Sequence, residues 1–471
     1  LTRSTTGNWQ KSGWQMNDNG QKKLLIVITN GFAATNVIHS GLIQHMARLY
    51  ELHILSDLLG ENEIRAINRH FGINVKLFCE QIPAETAILK PLRLIGKAVF
   101  FRHFHIVTQT IRESQQAFWL RYSTVAFANV LECLGITRSV LVFLRKVIIA
   151  RSKRMDIATK IVQQQFDGII STSPLDIREN IIINSLGAKT PSLAMVISWD
   201  NLTTKGMINA DHDYVLLWNK YMANEYRTFH QPLCNVPSKI HVTGIPRFDL
   251  YFQLDPDQVT ERCFREKFGL GSARIILFAT SAAKHFPEQA DIVEHLVAYA
   301  KMRGNVKILV RCHPGDEPEN YRLYEQENSV IIPTPQVLTG GTMVPGLRSL
   351  LDLSEMLKYA DICINVASTM RLDAAACNTP IISIAYDGNK IKPYSHSVRR
   401  FYDYTHQMEL NKLAIDRFVY SKQALFEALD DTLFNAKQNR INRTEMIQRF
   451  THYTEALSVP TILNTIEEWL R

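Results

Sequence analysis

The sequence predicts an α/β protein built from two doubly wound parallel sheets. Three observations carry this. Short apolar runs rich in β-branched residues alternate with segments of helical spacing. The alternation occurs twice, on either side of a polar stretch near residue 250. The length of 471 residues suits two large domains.

Residues 24–29 (LLIVIT) read as a buried parallel strand, 36–50 as a helix and 51–55 as the next strand, which makes one βαβ unit. Further strands are expected at 166–171, 192–197, 214–218 and 239–243, with a helix over 174–186. Residues 255–269 turn polar, beginning DPDQ, as a linker and lead-in helix would. The second half repeats the pattern, with strands at 274–279, 306–310, 329–332, 362–365 and 381–384 and helices over 288–302, 352–359 and 370–377. Residues 421–471 read as helical in two parts. The expected division is a polar tail (1–23), a first Rossmann-like domain (24–250), a second (251–445), and a C-terminal helix (446–471) that crosses back to the first.

Hydrophobic residues at 46% and charged residues at 21% match ordinary globular composition and exclude wholesale disorder. Lys and Arg number 53 against 45 acidic residues, and a net charge of +8 favours anionic partners. That surplus is local. Residues 90–154 carry twelve basic residues against Glu113 and Glu132, a net of +10 that leaves −2 for the rest. Phe100, Phe101, Phe104, Phe118, Trp119 and Phe127 interleave with them. Two readings stay open for this segment. It is a surface for an anionic membrane, where each Lys or Arg contributes about 1 kcal/mol, or a helical insertion with solvated basic faces. No nucleic-acid module accompanies it, so nucleic acid is not expected as a partner.

Seven scattered cysteines without a CxxC pair predict a reducing compartment, no disulfide framework and no structural metal. The most apolar stretch, 122–131, is bounded by Arg121 and Glu132 and is too short to span a bilayer. The polar residues 1–23 lack the apolar core of a signal peptide. The expected location is cytoplasmic, peripheral on the inner face of the membrane if the basic segment docks there.

Four motifs carry candidate chemistry. In KILVRCHP a strand ends in Arg311 and His313, where ligands of open α/β sheets bind, and Arg clamps phosphate while His donates to it. In DICINVASTMRLDAAACNTP a strand leads to Ser368 and Thr369 at a helix start, with Asp373 one turn on as an acceptor for ribose hydroxyls. Helix capping alone would also explain these three. In ISWDNLTTKG, Asp200 stands at a strand end as a candidate base, beside Asn201 and Lys205, although an Asp-Asn turn could simply cap the next segment. In TGIPRFD the Gly and Pro define a turn, and Arg247 and Asp249 read as partners of each other. Arg399 and Arg400, after Tyr394, either reach the same site as Arg311 and His313 or form a solvated basic turn, and the turn is the preferred reading.

Taken in order, residues 199–206, 244–249, 311–314, 352–357 and 368–373 resemble the CDP-glycerol glycerophosphotransferases of teichoic-acid synthesis and the wider GT-B glycosyltransferases of bacterial surface polysaccharides. The resemblance implies a GT-B fold with an acceptor-side first domain and a donor-binding second domain. Arg311, His313, Ser368, Thr369 and Asp373 become the donor-binding candidates, with Asp200 and His313 catalytic and Asn201, Lys205 and Arg247 on the acceptor side. The donor would be CMP-, CDP- or UDP-linked. The resemblance also implies that no metal or other cofactor is needed, since GT-B enzymes generally transfer without one. One departure matters. The teichoic-acid enzymes carry Trp-His-Gly at the acceptor loop, with His as the proposed base, where this chain has Trp199-Asp200-Asn201.

A carboxylate base is more usual in glycosyl transfer. The leading expectation is therefore a glycosyltransferase moving a sugar to a hydroxyl of a surface-glycan or lipid-linked acceptor. A glycerophosphotransferase comes second. A UDP-sugar 2-epimerase comes third, without its Gly-Gly-x-x-Glu-Glu signature, and then a non-catalytic nucleotide- or membrane-binding scaffold.

Overall fold

The computed structural model describes residues 20–113, 118–253, 260–338, 344–434 and 443–471. Most of the polar tail and the DPDQ start of the linker lie outside the described residues. The apolar runs become strands of two all-parallel sheets. The first joins β1 (Lys23–Ile28), β2 (Glu51–Ser56), β3 (Lys76–Leu77), β4 (Gly168–Ser171), β5 (Ser192–Met195), β6 (Tyr214–Leu217) and β7 (Lys239–Val242) in the order β3-β2-β1-β4-β5-β6-β7. The second joins β8 (Arg274–Ala279), β9 (Val306–Arg311), β10 (Val330–Ile331), β11 (Ile362–Asn365), β12 (Ile381–Ile384) and β13 (Arg417–Val419) in the order β10-β9-β8-β11-β12-β13. Both orders reverse direction next to their first strand, the Rossmann arrangement, and that reversal opens a crevice at the strand C-termini. Strands β3 and β13 escape sequence reading because Lys76–Leu77 and Arg417–Val419 each begin with an exposed charge and carry no continuous apolar run, unlike the equally short β10.

Alternation along each strand feeds two faces. Leu24, Ile26 and Ile28 pack with Ile462, Leu463, Ile466 and Trp469 of the C-terminal helix Ser458–Leu470, while Leu25 and Val27 pack with Ile157, Ile161 and Ile182 on the opposite face. The C-terminal helix thus completes the first sheet's core. Gly168 makes room for it, since a Cβ there would sit 2.4 Å from the Trp469 ring. In the second sheet Ile276, Phe278, Ile308 and Val310 pack under the helix Gln289–Arg303. The other face, with Ile275, Leu277 and Leu309, joins a core that runs on to Val215, Leu217 and Phe248 of the first half.

The helix expected over 36–50 is broken. It forms as Gly31–Ala34, a wide π-helical turn Thr35–His39 and Leu42–Met46, because Gly41 turns left-handed at φ +79 between the last two.

The basic segment folds into the helices Leu89–His103, Val107–Glu113, Phe118–Cys133 and Thr137–Arg151, inserted between β3 and β4. Phe100, Leu141 and Ile148 pack against Ile181 and Met207, so the insertion shares a core with the first sheet's helices. Its charges divide. Arg145 is only 1% exposed and bonds to the Ile208 and Ala210 carbonyls and to Asp211, so it anchors the insertion and is not part of a solvated basic face. The insertion also touches the second half, where Thr108 and Thr405 exchange hydrogen bonds through their amides and hydroxyls.

Candidate functional site

The loop after β5 carries Trp199 and Asp200 into the short helix Asn201–Thr204. Asp200 does not cap that helix. Its carboxylate instead accepts from the Ser198 hydroxyl on one oxygen and from the Thr204 hydroxyl, at 2.9 Å, on the other. Burial alone would push its pKa up, but His406, Ser198, Lys205 and Thr204 outweigh burial and hold the carboxyl below its ordinary value.

Two groups beside it lie outside the sequence motifs. Glu225, from the helix Lys220–Glu225, has a buried Oε2 with no hydrogen-bond partner, and burial, Asp200 and Glu409 push its pKa up to about 8. His406, from the second half's helix Thr405–Asn411, packs edge-on against Trp199 with ring centroids 4.9 Å apart, and its Nδ1 is buried without a partner. Burial drops His406 to about 4 against the pull of Asp200, so the imidazole is neutral at neutral pH. A carboxylate, a carboxylic acid and an imidazole thus meet at the Trp199 loop. Such a trio of unlike protonation states is the raw material of proton transfer. Only Asp200 could be named from sequence, because Glu225 and His406 lie 25 and 206 residues away from it in the chain.

On the opposite side, the crevice at the C-termini of β8, β9 and β11 gathers the other motifs. His313 donates its backbone N–H to the Thr280 hydroxyl at 2.9 Å, and its Nδ1 accepts from the Gly315 N–H at 2.8 Å. That bond leaves the ring proton on Nε2, a neutral donor for an incoming oxygen. Burial, with Arg311 next, lowers His313 to about 4. Arg311 is partly buried and is lowered by burial, while Tyr251 and Asp373 oppose that shift. Ser368 and Thr369 come after β11, both partly exposed; the Ser368 hydroxyl accepts from the Met370 N–H at 3.2 Å, whereas the Thr369 hydroxyl caps nothing.

Asp373 and Arg247 take a different place from the one sequence reading gave them. Asp373 is 1% exposed and accepts from Arg247 at 2.7 and 3.3 Å and from the Tyr251 hydroxyl at 2.6 Å. Its carboxylate therefore faces a cation of the first half, and its charge also acts on Arg311. Arg247, also buried, lies over the rings of Phe32 and Phe248. Asp249 is not its partner either, for it accepts from the backbone N–H groups of Ser458 and Val459 at 3.1 and 2.7 Å and so caps the C-terminal helix. Gly244 completes this clasp at φ +73, where a Cβ would sit 2.5 Å from the Ser458 hydroxyl. Gly244, Arg247 and Asp249 of the GIPRFD motif thus each contact the C-terminal helix or the second half.

The family described as CDP-Glycerol:Poly(glycerophosphate) glycerophosphotransferase matches residues 199–468, more than half of the sequence. The chain belongs to that family. The match starts at the Trp199 loop and ends in the C-terminal helix, so it contains Asp200, the clasp and the β9 and β11 crevice. Among solved structures, the S. aureus MnaA–UDP complex is similar over 95% of this chain and 97% of that one, at 10% identity and TM-score 0.55. UDP-GlcNAc 2-epimerase from Neisseria meningitidis bound to UDP-GlcNAc is similar over 95% and 100%, at 11% identity and TM-score 0.53. The Methanocaldococcus jannaschii UDP-GlcNAc 2-epimerase complex with UDP-GlcNAc and UDP is similar over 95% and 99%, at 11% identity and TM-score 0.51. At such identities the likeness is one of fold, and the fold is GT-B. Comparison with curated proteins gives no sequence match.

His285 is a further residue missed in the sequence, and Arg400 takes a different place from the solvated turn expected for it. Burial, then Lys284, Arg112, Arg400 and Lys205, depress His285 to about 4, and His285 in turn adds to the lowering of His313. Arg400 is 6% exposed, over the Phe401 ring at 4.1 Å, which replaces the solvated turn expected there; Arg399 lies over Tyr420. Lys205 and Arg112 near the Trp199 loop and Lys284 and Arg400 of the second half thus all act on His285. Among the described residues no group of three or more His, Cys, Asp and Glu side chains could hold a metal ion.

Proposed function

We propose that this transferase moves a polyol phosphate, of the glycerol phosphate type, from a nucleotide-activated donor to an acceptor hydroxyl. The observation that carries this reading is the family match across both halves of the site. It reverses the order drawn from sequence, where the Asp200 carboxylate favoured a sugar. In the proposed step Asp200 takes the proton of the acceptor hydroxyl, whose oxygen forms a bond to the donor's transferred phosphorus as the bond to the nucleotide's phosphate oxygen breaks. The released nucleotide keeps that oxygen, and Arg311 with the Nε2–H of His313 stabilises its charge without a metal. Ser368 and Thr369 complete the donor crevice. Glycosyl transfer remains the second reading, favoured by Asp200 standing where the teichoic-acid enzymes carry histidine.

A thermal-shift screen with CMP, CDP and UDP, and then transfer assays with CDP-glycerol against CMP- and UDP-sugars, test both readings. A nucleotide at about 100 times its Kd should add about 2.7 kcal/mol. No shift with any nucleotide would leave a non-catalytic scaffold, and turnover of a sugar donor alone would restore the second reading.

The acceptor side is proposed to lie at an anionic membrane. Supporting this, the insertion exposes Phe127, Val130, Leu134, Ile136 and Phe143 beside exposed Arg138, Lys146, Arg151 and Lys153. No helix among the described residues is long and apolar enough to cross a membrane. Replacing those four cations by Gln should reduce sedimentation with phosphatidylglycerol vesicles, and unchanged sedimentation would remove the membrane role.

A further inference from the structure

Residues Thr204, Lys205 and Gly206 are flanked by two cations of the insertion, Lys97 and Arg112, that lie outside every motif. Arg112, from the insertion helix Val107–Glu113, donates to the Thr204 carbonyl at 3.1 Å and faces the Tyr404 ring at 5.3 Å. Lys97, from the insertion helix Leu89–His103, lays its stem on Gly206, where a Cβ would sit 3.1 Å from Lys97 Cγ. Lys205 stands between them, exposed. Gly206 has φ +96, a conformation that suits glycine and leaves the space Lys97 fills.

None of the three forms an ion pair with a carboxylate among the described residues, whereas the neighbouring Arg93 is paired with Glu85 at 2.7 Å. Burial, then Arg112, Lys205 and Arg93, lower Lys97 to about 8, and the carboxylate acting on this group is Asp200, beside Lys205. Folding has thus gathered like charges at a cost that an anion would offset. The Val107–Glu113 helix is also pinned across the cleft through Thr108 and Thr405, which holds Arg112 in place.

Thr204 ties this cluster to the candidate base. Its carbonyl holds Arg112 while its hydroxyl holds Asp200 Oδ2 at 2.9 Å. An acceptor whose hydroxyl reached Asp200 would carry a neighbouring phosphate directly to the cations. We propose that Lys97, Arg112 and Lys205 form a phosphate subsite on the acceptor side of the cleft, taking a phosphodiester one unit behind the reacting hydroxyl. The inference rests on the proposed transferase reading, and makes the insertion a specificity element for phosphate-bearing acceptors.

Calorimetric titration of the full chain with a synthetic glycerol phosphate trimer and, separately, with CDP tests it. Lys97→Met combined with Lys205→Gln should weaken the trimer by about tenfold or more, while CDP stays within about twofold. Lys205→Gln alone, at an exposed position, serves where the double variant does not fold and should weaken the trimer by a smaller factor. A trimer that the unmodified chain does not bind, or binds equally well after substitution, overturns the subsite. An equal loss for CDP also overturns it, by assigning the cations to the donor. Failure of CDP to bind the unmodified chain strikes at the donor reading instead, and the trimer titration still decides the subsite.

Discussion

Asp373 and Asp200 both stand in motifs that follow strands, Asp373 inside the helix Met370–Ala376 and Asp200 in the loop before Asn201–Thr204, and the structure gives them opposite lives. Asp373 has every oxygen engaged, by a buried guanidinium and a buried phenol from the other half of the chain. Asp200 is held by two hydroxyls but sits among groups with bonds to spare, the orphaned Oε2 of Glu225 and the orphaned Nδ1 of His406. A buried carboxylate with both oxygens paired holds a fold together, while the unpaired Glu225 Oε2 and His406 Nδ1 leave hydrogen-bonding capacity beside Asp200. The clasp fixes how the two sheets sit, and the cleft cluster uses that placement.

The largest effect expected from breaking this contrast is at the clasp. Asp373→Ala leaves Arg247 buried without its partner and should cost roughly 3–5 kcal/mol in urea unfolding. A cost below about 1 kcal/mol would put Asp373 back among the ligand-facing residues.

At the cleft the expected effect falls on rate. Asp200→Asn keeps the shape and should lower transfer by about 10²–10⁴-fold with little change in unfolding, as removal of a general base does. An unchanged rate would remove the base assignment. Glu225→Gln sharpens the same point through pH. In the unfolded chain the Glu225 carboxyl ionises near 4.5, but in the folded chain near about 8. The folded state therefore holds the extra proton between these values, and the native chain loses stability as pH rises through that window. The Gln variant should lose less, and parallel stability curves for the two would separate Glu225 from Asp200.

Much of the architecture was legible in the sequence because buried parallel strands are written as continuous apolar runs, as at LLIVIT and IILFA. The order of elements and the crevice after β9 came from that pattern. Short edge strands such as Lys76–Leu77 carried no pattern to read. The break at Gly41 was missed because the apolar spacing of residues 36–50 continues across it.

The sequence by itself determined two parallel sheets, a local basic insertion, and Asp200, Lys205, Arg311, His313, Ser368 and Thr369 as polar groups at strand ends. Those are local properties, set by hydrophobic period and by residues adjacent in the chain. Tertiary structure alone decided which charges were spent. It paired Arg247 with Asp373 across 126 positions, buried Arg145, and brought Glu225, His406, Lys97 and Arg112 to the Trp199 loop. Pairing and burial depend on which side chains the packed core leaves facing one another, and that is settled only when the two sheets meet.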